Sequence, residues 1–255
     1  MGVILKDGGT IYLAVSVICT LRAGIATDDM QRNGLATVTL RADGSIGLLG
    51  TCLQTPIAEA TALTFWEFLV QFGAAWMWED VNGDLSDMSW AADALRHGTA
   101  MLVADGSFNR GLDDGVCSAG WVFLCKQQHK VVKGSFYERS PSAGSYRGEV
   151  LGLVALHTLA YALGDFCSID SIGGSVHCDN LTAVNKTNNL GRRISTGALH
   201  GDCFWVLRTL KGKVGMRLTY HHVKSHQDRH KTWETLPLDR QVNVVCDALA
   251  GAAIL

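Results

Sequence analysis

The stretch MLVADGS at residues 101–107 places one carboxylate at the end of an apolar run and follows it with a glycine. Short apolar runs bounded by Gly or Ser are typical of buried β-strands. Asp105 stands where the buried part of such a strand would end, so its carboxylate must face water, a polar partner or a metal ion. We predict that this strand is the first of a sheet that carries a functional site, although Asp105 and Gly106 would also suit a simple turn.

The patterns after residue 107 predict a mixed α/β sheet. Residues 116–125 and 129–137 read as two further strands, so the first three strands form an antiparallel meander. Apolar residues at helical spacing predict a helix over 145–163, and residues 176–178 form a fourth strand, parallel to the first because a helix precedes it. Helices over 180–186, 199–210 and 241–253 and a fifth strand over 217–223 complete a five-stranded sheet flanked by helices.

Residues 1–98 are predicted to be an accessory or connecting α+β segment whose function the sequence does not indicate. Its patterns favour strands over 11–21, 36–40 and 46–49, then a helix from Thr55 and Pro56 to about Trp76. A polar acidic loop over 80–87 and a short helix over 89–97 come next. We place the domain boundary between residues 98 and 99, because no cluster of reactive side chains precedes it.

Composition and charge narrow the class of protein. The 255 residues are 47% hydrophobic and carry a net charge of −2, which suits a globular protein with one large core or two modest ones. Residues 1–100 hold five basic and eleven acidic residues, whereas residues 101–255 hold 17 basic and 13 acidic ones. A surface that attracts a polyanion is therefore expected only in the second part.

The eight cysteines are scattered without a C-x-x-C pair, and most of them lie in apolar runs. This pattern is typical of reduced, packed thiols, so we expect an intracellular protein of the cytoplasm or nucleus. The apolar stretches 11–21 and 60–78 fit a strand and a buried helix better than a signal peptide or a membrane span. We predict no membrane partner.

Three further carboxylates stand in settings comparable to that of Asp105. Glu149 lies at the start of the long helix, Asp179 comes after the run 175–178, and Asp247 lies in the last helix. Glu149 alone would suit the helix dipole and Asp179 a helix N-cap, whereas Asp247 in a largely buried helix would be a costly unpaired charge. Because ligands gather beyond the ends of central strands in α/β sheets, we predict that the four carboxylates converge.

Adjacent carboxylates repel one another strongly unless cations hold them together. Hard oxygen ligands suit Mg²⁺ or Mn²⁺, and two such ions about 3.5–4 Å apart can activate a water and stabilise the leaving oxygen of a phosphodiester. The pattern therefore indicates phosphodiester hydrolysis. His226, on a polar loop after the fifth strand, would shuttle a proton or help product to leave. The competing interpretation of this loop is a zinc site of His222, His226 and His230, which are spaced by four.

Five segments in this order resemble the successive motifs of type 1 ribonuclease H domains, most closely those that follow reverse transcriptases in eukaryotic retroelements. The segments are DGS at 105–107, SYRGE at 145–149, CDN at 178–180, VKSHQD at 223–228 and the LPL, Asn243 and CDALA positions across 236–250. The resemblance covers residues 99–254 and a tryptophan-containing lead-in from about Trp76. It implies a ribonuclease H-like fold for residues 99–255.

The resemblance also implies an activity, which is cleavage of the RNA strand of an RNA–DNA hybrid with two Mg²⁺ ions, or Mn²⁺ in their place. An upstream reverse transcriptase in the same polypeptide would be a further partner. The implied metal-binding carboxylates and mobile-loop histidine are Asp105, Glu149, Asp179, Asp247 and His226. The implied contacts to nucleic acid are Ser107, Arg147, Asn180 and Gln227, with a basic patch of Lys211, Lys213 and Arg217. Each contact residue would equally suit a helix cap or a solvated surface.

Two features of the loop depart from the family pattern. The segment between Arg229 and Asp239 is longer than in the compact bacterial form, and Ser225 stands where glycine is common. Two rival functions stay open from the sequence. One is a catalytically silent ribonuclease H-like module that binds nucleic acid or connects parts of a retroelement polyprotein. The other is a two-metal DNA nuclease or recombinase of the same fold.

Overall fold

The structure is a computed structural model. It describes residues 64–71, 75–83, 87–111, 115–190, 194, 199–213 and 215–254, apart from the side chains of Gln71 and Lys213, and the backbone of five strands in the first 63 residues. The chain divides into two compact units, residues 1–63 and 64–255. This boundary lies earlier than the predicted one at 98 and 99, because the segment from residue 75 onwards packs with the second unit's sheet.

The first unit contains a small antiparallel sheet. Its strands are β1 (Ile4–Lys6), β2 (Thr10–Val15), β3 (Leu21–Gly24), β4 (Leu35–Leu40) and β5 (Ile46–Leu49). The strand order is β1-β2-β4-β5, and β3 pairs with β2. The predicted strands over 36–40 and 46–49 correspond to β4 and β5. The single strand predicted over 11–21 is wrong in its second part, because β2 ends at Val15 and Leu21 begins the antiparallel strand β3. The predicted helix start at Thr55 lies outside the described residues.

The second unit is built on a six-stranded mixed sheet. Its strands are β6 (Asp80–Asn82), β7 (Ala100–Ser107), β8 (Val116–Cys125), β9 (Val131–Arg139), β10 (Ser171–Cys178) and β11 (Gly215–His222). The order is β11-β10-β7-β8-β9-β6, with β7, β10 and β11 parallel and the other neighbours antiparallel. The predicted meander and the parallel pairing of the first and fourth strands are therefore confirmed.

Among the described residues, six α-helices flank this sheet. They are α1 (Phe65–Gln71), α2 (Ser89–Arg96), α3 (Ser145–Phe166), α4 (Leu181–Asn188), α5 (Gly201–Lys213) and α6 (Leu238–Ala252). Helix α1 begins at Phe65 because Thr64 and Glu67 form a capping box, in which the Thr64 amide donates to Glu67 Oε2 at 2.8 Å and the Glu67 amide to Thr64 Oγ1 at 3.3 Å. The mixed sheet flanked by helices confirms the predicted fold class.

The second unit's sheet has six strands where five were predicted, and one of the predicted strands begins earlier in the chain. Strand β6 lies in the segment predicted as an acidic loop, and it pairs with β9 from Asp80 to Asn82. Strand β10 begins at Ser171, whereas the sequence pattern predicted a start at Val176. The prediction missed the first residues because Gly173 and Gly174 interrupt the apolar pattern. A Cβ on Gly173 would lie 3.1 Å from the Gly98 Cα, and Gly174 has a φ of 155°. The glycines therefore let β10 pass close to residues 98–100.

The sheet is covered by α3 on one face and by α6 on the other. Helix α3 packs so closely that a Cβ on Gly152 would lie 2.8 Å from the Ala104 Cβ. On the opposite face, Val242 and Cys246 of α6 join Met101 and Val103 in a buried cluster. Helix α3 is long and apolar enough to cross a membrane by length and composition, but 83% of its most apolar window is buried inside the protein. It is the central core helix of the unit.

The described cysteines fit the predicted packing of reduced thiols. Cys117, Cys125, Cys178, Cys203 and Cys246 are buried, and none of the six described cysteines forms a disulfide. Burial raises the pKa of the Cys178 and Cys246 thiols well above their usual range. These side chains therefore behave as small apolar groups of the core.

We predict that Gly148→Ala destabilises the protein, because the added Cβ would lie 2.3 Å from the Ser118 carbonyl oxygen, at the point where α3 meets the sheet. Overpacking against backbone should lower the free energy of unfolding by at least about 2 kcal/mol, as measured by denaturant unfolding. The matched variant Gly212→Ala lies in α5, where an added Cβ meets nothing within 4 Å, so it should stabilise the protein slightly. Equal stability of the two variants would contradict the packing described here.

Candidate active site

Two of the predicted carboxylates lie side by side because their strands are parallel neighbours. Cys178, the last residue of β10, pairs with Ala104 of β7. Asp179 follows Cys178 and Asp105 follows Ala104, so the two aspartates are neighbours at the edge of the sheet where β10 ends. Asp105 is buried, with 3% of its surface exposed, and its Oδ1 accepts from the Gly106 amide at 2.7 Å. The edge of a parallel pair is the usual position of a ligand site in an α/β sheet.

Glu149 reaches the same point from helix α3. It is the fifth residue of the helix rather than part of its first turn, and it is 5% exposed. Its Oε2 accepts from the Cys178 thiol at 3.3 Å, and ligand atoms of Glu149, Cys178 and Asp179 all lie within 4.8 Å of one another. The interpretation of Glu149 as a surface charge that complements the helix dipole does not fit this burial.

Helix α6 contributes Asp247 and also Asn243, a residue of the last motif for which no role was predicted. Asn243 is buried and donates from Nδ2 to Asp105 Oδ2 at 3.2 Å. Asp247 lies one turn later on the same side of the helix, and its side chain is 47% exposed. The expectation that Asp247 is enclosed in a buried helix is therefore wrong, because this side of α6 opens onto the site. Asn243 precedes Asp247 by four residues, a spacing that puts both on one side of a helix, so the sequence could have identified Asn243 as a member of the site.

The concentration of negative charge changes the proton affinity of the buried members. Burial, then the charges of Asp179 and Asp247, raise the pKa of Asp105 to about 7. Burial, then the charges of Asp105 and Asp179, raise the pKa of Glu149 well above its usual range. The four predicted carboxylates therefore lie close enough to interact electrostatically.

In the part of the chain that the structure describes, no lysine or arginine forms an ion pair with Asp105, Glu149, Asp179 or Asp247. Moreover, the buried Asp179 Oδ1 and Asn243 Oδ1 have no hydrogen-bond partner. Uncompensated carboxylates and orphaned oxygens are a donor set that fits a hard divalent cation such as Mg²⁺ or Mn²⁺.

His226 lies at the rim of the carboxylate cluster. Its Nδ1 is 3.7 Å from Asp247 Oδ2, and its backbone is left-handed, with φ 48°. Its side chain is 47% exposed, so it can meet both solvent and a ligand at the site. The competing zinc triad does not form here, because His222 contacts the Asp179 carbonyl oxygen at 2.9 Å while His230 is exposed. The described residues contain no group of His222, His226 and His230 close enough to share an ion.

Two residues predicted to contact nucleic acid are instead used inside the protein. Arg147 is buried, and its guanidinium pairs with Glu138 and with Asp202, the latter at 2.9 Å. Gln227 is 9% exposed; it donates to the Ser225 carbonyl at 3.2 Å and accepts from Arg240 at 3.3 Å. Their polar groups hold α3, α5 and the loop after β11 in place. This burial does not favour the contacts to nucleic acid that the resemblance implies for Arg147 and Gln227, and those contacts stay a prediction.

The remaining predicted contact residues lie in mixed settings. Asn180 caps α4, since its Oδ1 accepts from the Ala183 amide at 3.0 Å, and it is half-buried beside Asp179. Ser107, the last residue of β7, is also half-buried. Lys211 donates to the Thr187 carbonyl at 2.8 Å and lies 4.6 Å from the centre of the Tyr220 ring, which leaves it less suited to hold a phosphate. The Lys213 side chain lies outside the described residues, and Arg217 is exposed on β11.

No protein-family model and no curated protein sequence matches this chain. Its fold is similar to solved ribonuclease H structures, each covering 61% of this chain. The prototype foamy virus ribonuclease H domain is 14% identical over 93% of its length, with a TM-score of 0.47. LC11 ribonuclease H1 from compost, solved with an RNA/DNA hybrid, is 15% identical over 96%, with a TM-score of 0.46. A Mycobacterium tuberculosis N-terminal ribonuclease H domain is 18% identical over 92%, with a TM-score of 0.44.

The raised pKa of Asp105 predicts a pH-dependent loss of stability in the metal-free protein. The folded state holds the Asp105 proton up to about pH 7, whereas the unfolded chain releases it near pH 4. The free energy of unfolding should therefore fall as pH rises from about 4 to 7. Asp105→Asn removes this charge, so in the presence of a chelator it should raise the melting temperature at pH 8 more than at pH 5.

The exposed loop residue Asp228 provides the matched control, because Asp228→Asn should leave the difference between the two pH values as in the parent protein. If Asp105→Asn also left it unchanged, the electrostatic account of the cluster would be wrong.

Proposed function

We propose that this chain is an endoribonuclease that cleaves the RNA strand of an RNA–DNA hybrid by hydrolysis that depends on two divalent metal ions. The observation that carries the proposal is a group of carboxylates at one sheet edge. Ligand atoms of Glu149 and Asp179 lie within 4.8 Å of each other, and burial, then the charges of Asp179 and Asp247, raise the pKa of Asp105 to about 7. No lysine or arginine of the described residues forms an ion pair with these carboxylates. Mg²⁺ is the proposed ion, and Mn²⁺ is the alternative of the same ligand preference.

The four carboxylates would hold the ions, and Asn243 would orient Asp105 through its 3.2 Å hydrogen bond. When bound, such ions activate a water and stabilise the leaving oxygen of a phosphodiester. His226 lies at the exposed rim, 3.7 Å from Asp247, where its imidazole can accept or return a proton as product leaves. The Cys178 thiol donates to Glu149 and so helps to fix that carboxylate in the buried part of the site.

The choice of an RNA–DNA hybrid rests on the five ribonuclease H-like segments of the sequence. With Arg147 and Gln227 occupied inside the protein, Asn180 and Ser107 are the predicted contact residues that remain near the carboxylates. Recognition of RNA would depend on 2′-hydroxyl contacts across the minor groove. An upstream reverse transcriptase in the same polypeptide, and an intracellular location, are part of this proposal. The proposal assigns no function to residues 1–63.

The first test is cleavage of an end-labelled RNA–DNA hybrid beside matched duplex RNA and duplex DNA. We expect cleavage of the RNA strand of the hybrid with Mg²⁺ and none with chelator. Asp105→Asn and Asp179→Asn should lower the rate on the order of 10³-fold or more, because each removes a charged ligand. Asp170→Asn, in the exposed bend before β10, should leave the rate unchanged.

The three substrates separate the competing functions. Cleavage of DNA would favour a DNA nuclease or recombinase of the same fold. A folded protein that cleaves none of the substrates would favour a module that only binds nucleic acid. Full activity of both Asp→Asn variants would contradict the assignment of the site.

A second prediction concerns His226, whose left-handed backbone makes alanine an unsuitable replacement. His226→Asn keeps a residue that tolerates this conformation but removes the imidazole. It should lower kcat for hybrid cleavage on the order of 10²-fold, because a general acid–base group is lost. His129→Asn is the control, since His129 is exposed, also has a positive φ of 53°, and lies in the turn between β8 and β9. Equal rates for the two variants would exclude a catalytic role for His226.

A further inference from the structure

One tryptophan of the protein is exposed to solvent in the loop that also contains His226. All seven tryptophans lie in the described part of the chain, and six of them are buried or half-buried. Trp233 is 44% exposed and lies in the loop between β11 and α6. A large amphipathic ring on a surface is typical of a position that a ligand or partner covers.

The backbone beneath Trp233 is firmly held. Gln241 of α6 donates from Nε2 to the Trp233 carbonyl at 3.0 Å and to the Leu236 carbonyl at 2.9 Å. The Thr235 amide donates to the Thr232 carbonyl at 3.0 Å, and Leu236 is buried. The indole is therefore exposed on an anchored loop, which is the arrangement of a preformed contact surface.

Trp233 lines an open cavity of about 640 Å³. The other lining residues are Asp228, Arg229, His230, Lys231, Thr232 and Glu234. Among the described residues, Arg229 and Lys231 have no ion-pair partner, so both can meet a phosphate. Asp228 and Glu234 lie on the same rim and offset this charge. The cavity is therefore not a simple basic patch, and the aromatic ring is its distinctive feature.

This loop is continuous with the candidate active site. It begins just after β11 and contains His226, whose Nδ1 is 3.7 Å from Asp247 Oδ2. The His230 and Lys231 amides both donate to the Gln227 carbonyl at 3.1 Å, so the turn after His226 leads directly into the cavity. A nucleic-acid strand that leaves the carboxylates on this side would therefore meet Trp233.

We propose that Trp233, flanked by Arg229 and Lys231, stacks on an unpaired base of a strand that extends from the hybrid bound at the carboxylates. The inference rests on the proposed function, because the hybrid supplies the strand. An indole can stack only on a base face that no neighbouring pair covers, so the ligand is a single-stranded extension of the hybrid. The protein would consequently bind a hybrid with such an extension more tightly than a blunt one.

The test measures binding of fluorescently labelled hybrids by anisotropy in Mg²⁺, with Asp179→Asn as the parent so that no strand is cut. The hybrids are blunt, or extended by about four nucleotides at each strand end in turn, or extended by abasic residues that keep the phosphates. We expect one natural extension to tighten binding at least about fivefold, because stacking of one base contributes this much or more. The abasic extension should give no comparable gain.

Substitutions in the same parent assign the effect to the indole. Trp233→Ala should abolish the gain from the extension, and Trp233→Phe should keep part of it. The control is Leu238→Ala, which removes another exposed apolar side chain at the start of α6 and should keep the full gain. Thermal unfolding verifies that the Trp233 variants are folded, since their ring is not part of the core.

Three results would overturn the inference: no gain at any strand end, an equal gain from the abasic extension, or a gain that persists in Trp233→Ala. A Trp233 surface reserved for a protein partner would give the first of these. Cleavage of the blunt hybrid by the unmodified protein tests the proposed function separately. If the protein cleaves the blunt hybrid but gains no affinity from an extension, the proposed function stands and the Trp233 contact is excluded. If it gains affinity from an extension but cleaves no hybrid, the contact stands and the proposed function is excluded.

Discussion

The close contact between strand β7 and helix α3 sets the geometry on which the candidate site depends. A Cβ on Gly106 would lie 2.2 Å from the Glu149 amide nitrogen, and one on Gly148 would lie 2.3 Å from the Ser118 carbonyl oxygen. Because neither residue has a side chain, the end of β7 meets the start of α3 directly. This contact keeps Asp105 and Glu149 close together. Asp179 follows β10 beside Asp105, and α6 carries Asp247 one turn after Asn243, which donates a hydrogen bond to Asp105.

This geometry opposes the stability of the metal-free protein. Burial and mutual repulsion raise the pKa values of Asp105 and Glu149, so their ionised forms are costly to hold in the fold. The well-packed core around Val103 and Cys246 supplies the compensating stability. Without cations, repulsion between these charges lowers the free energy of unfolding, and bound cations would remove that repulsion. A site that is selected for function rather than for stability is expected to behave in this way.

The features that depend on local pattern and on parallel pairing are predicted best from the sequence. Cys178 and Ala104 are paired because β7 and β10 are two apolar strands in parallel, the second of which follows helix α3, and this register is enough to place Asp179 beside Asp105. The role of Arg147 could not be predicted, because its partners Glu138 and Asp202 lie 9 and 55 residues away and only the tertiary fold unites them. The strand at residues 80–82 is too short for its pattern to be visible among acidic residues.

The most direct test of the account is a crystal structure of the protein grown with Mn²⁺, in which anomalous scattering locates the ions. The account predicts Mn²⁺ bound between Asp105, Glu149, Asp179 and Asp247, with Asn243 still oriented towards Asp105. Ordered carboxylates at the same positions with no Mn²⁺ between them, at a concentration that saturates binding in solution, would contradict it.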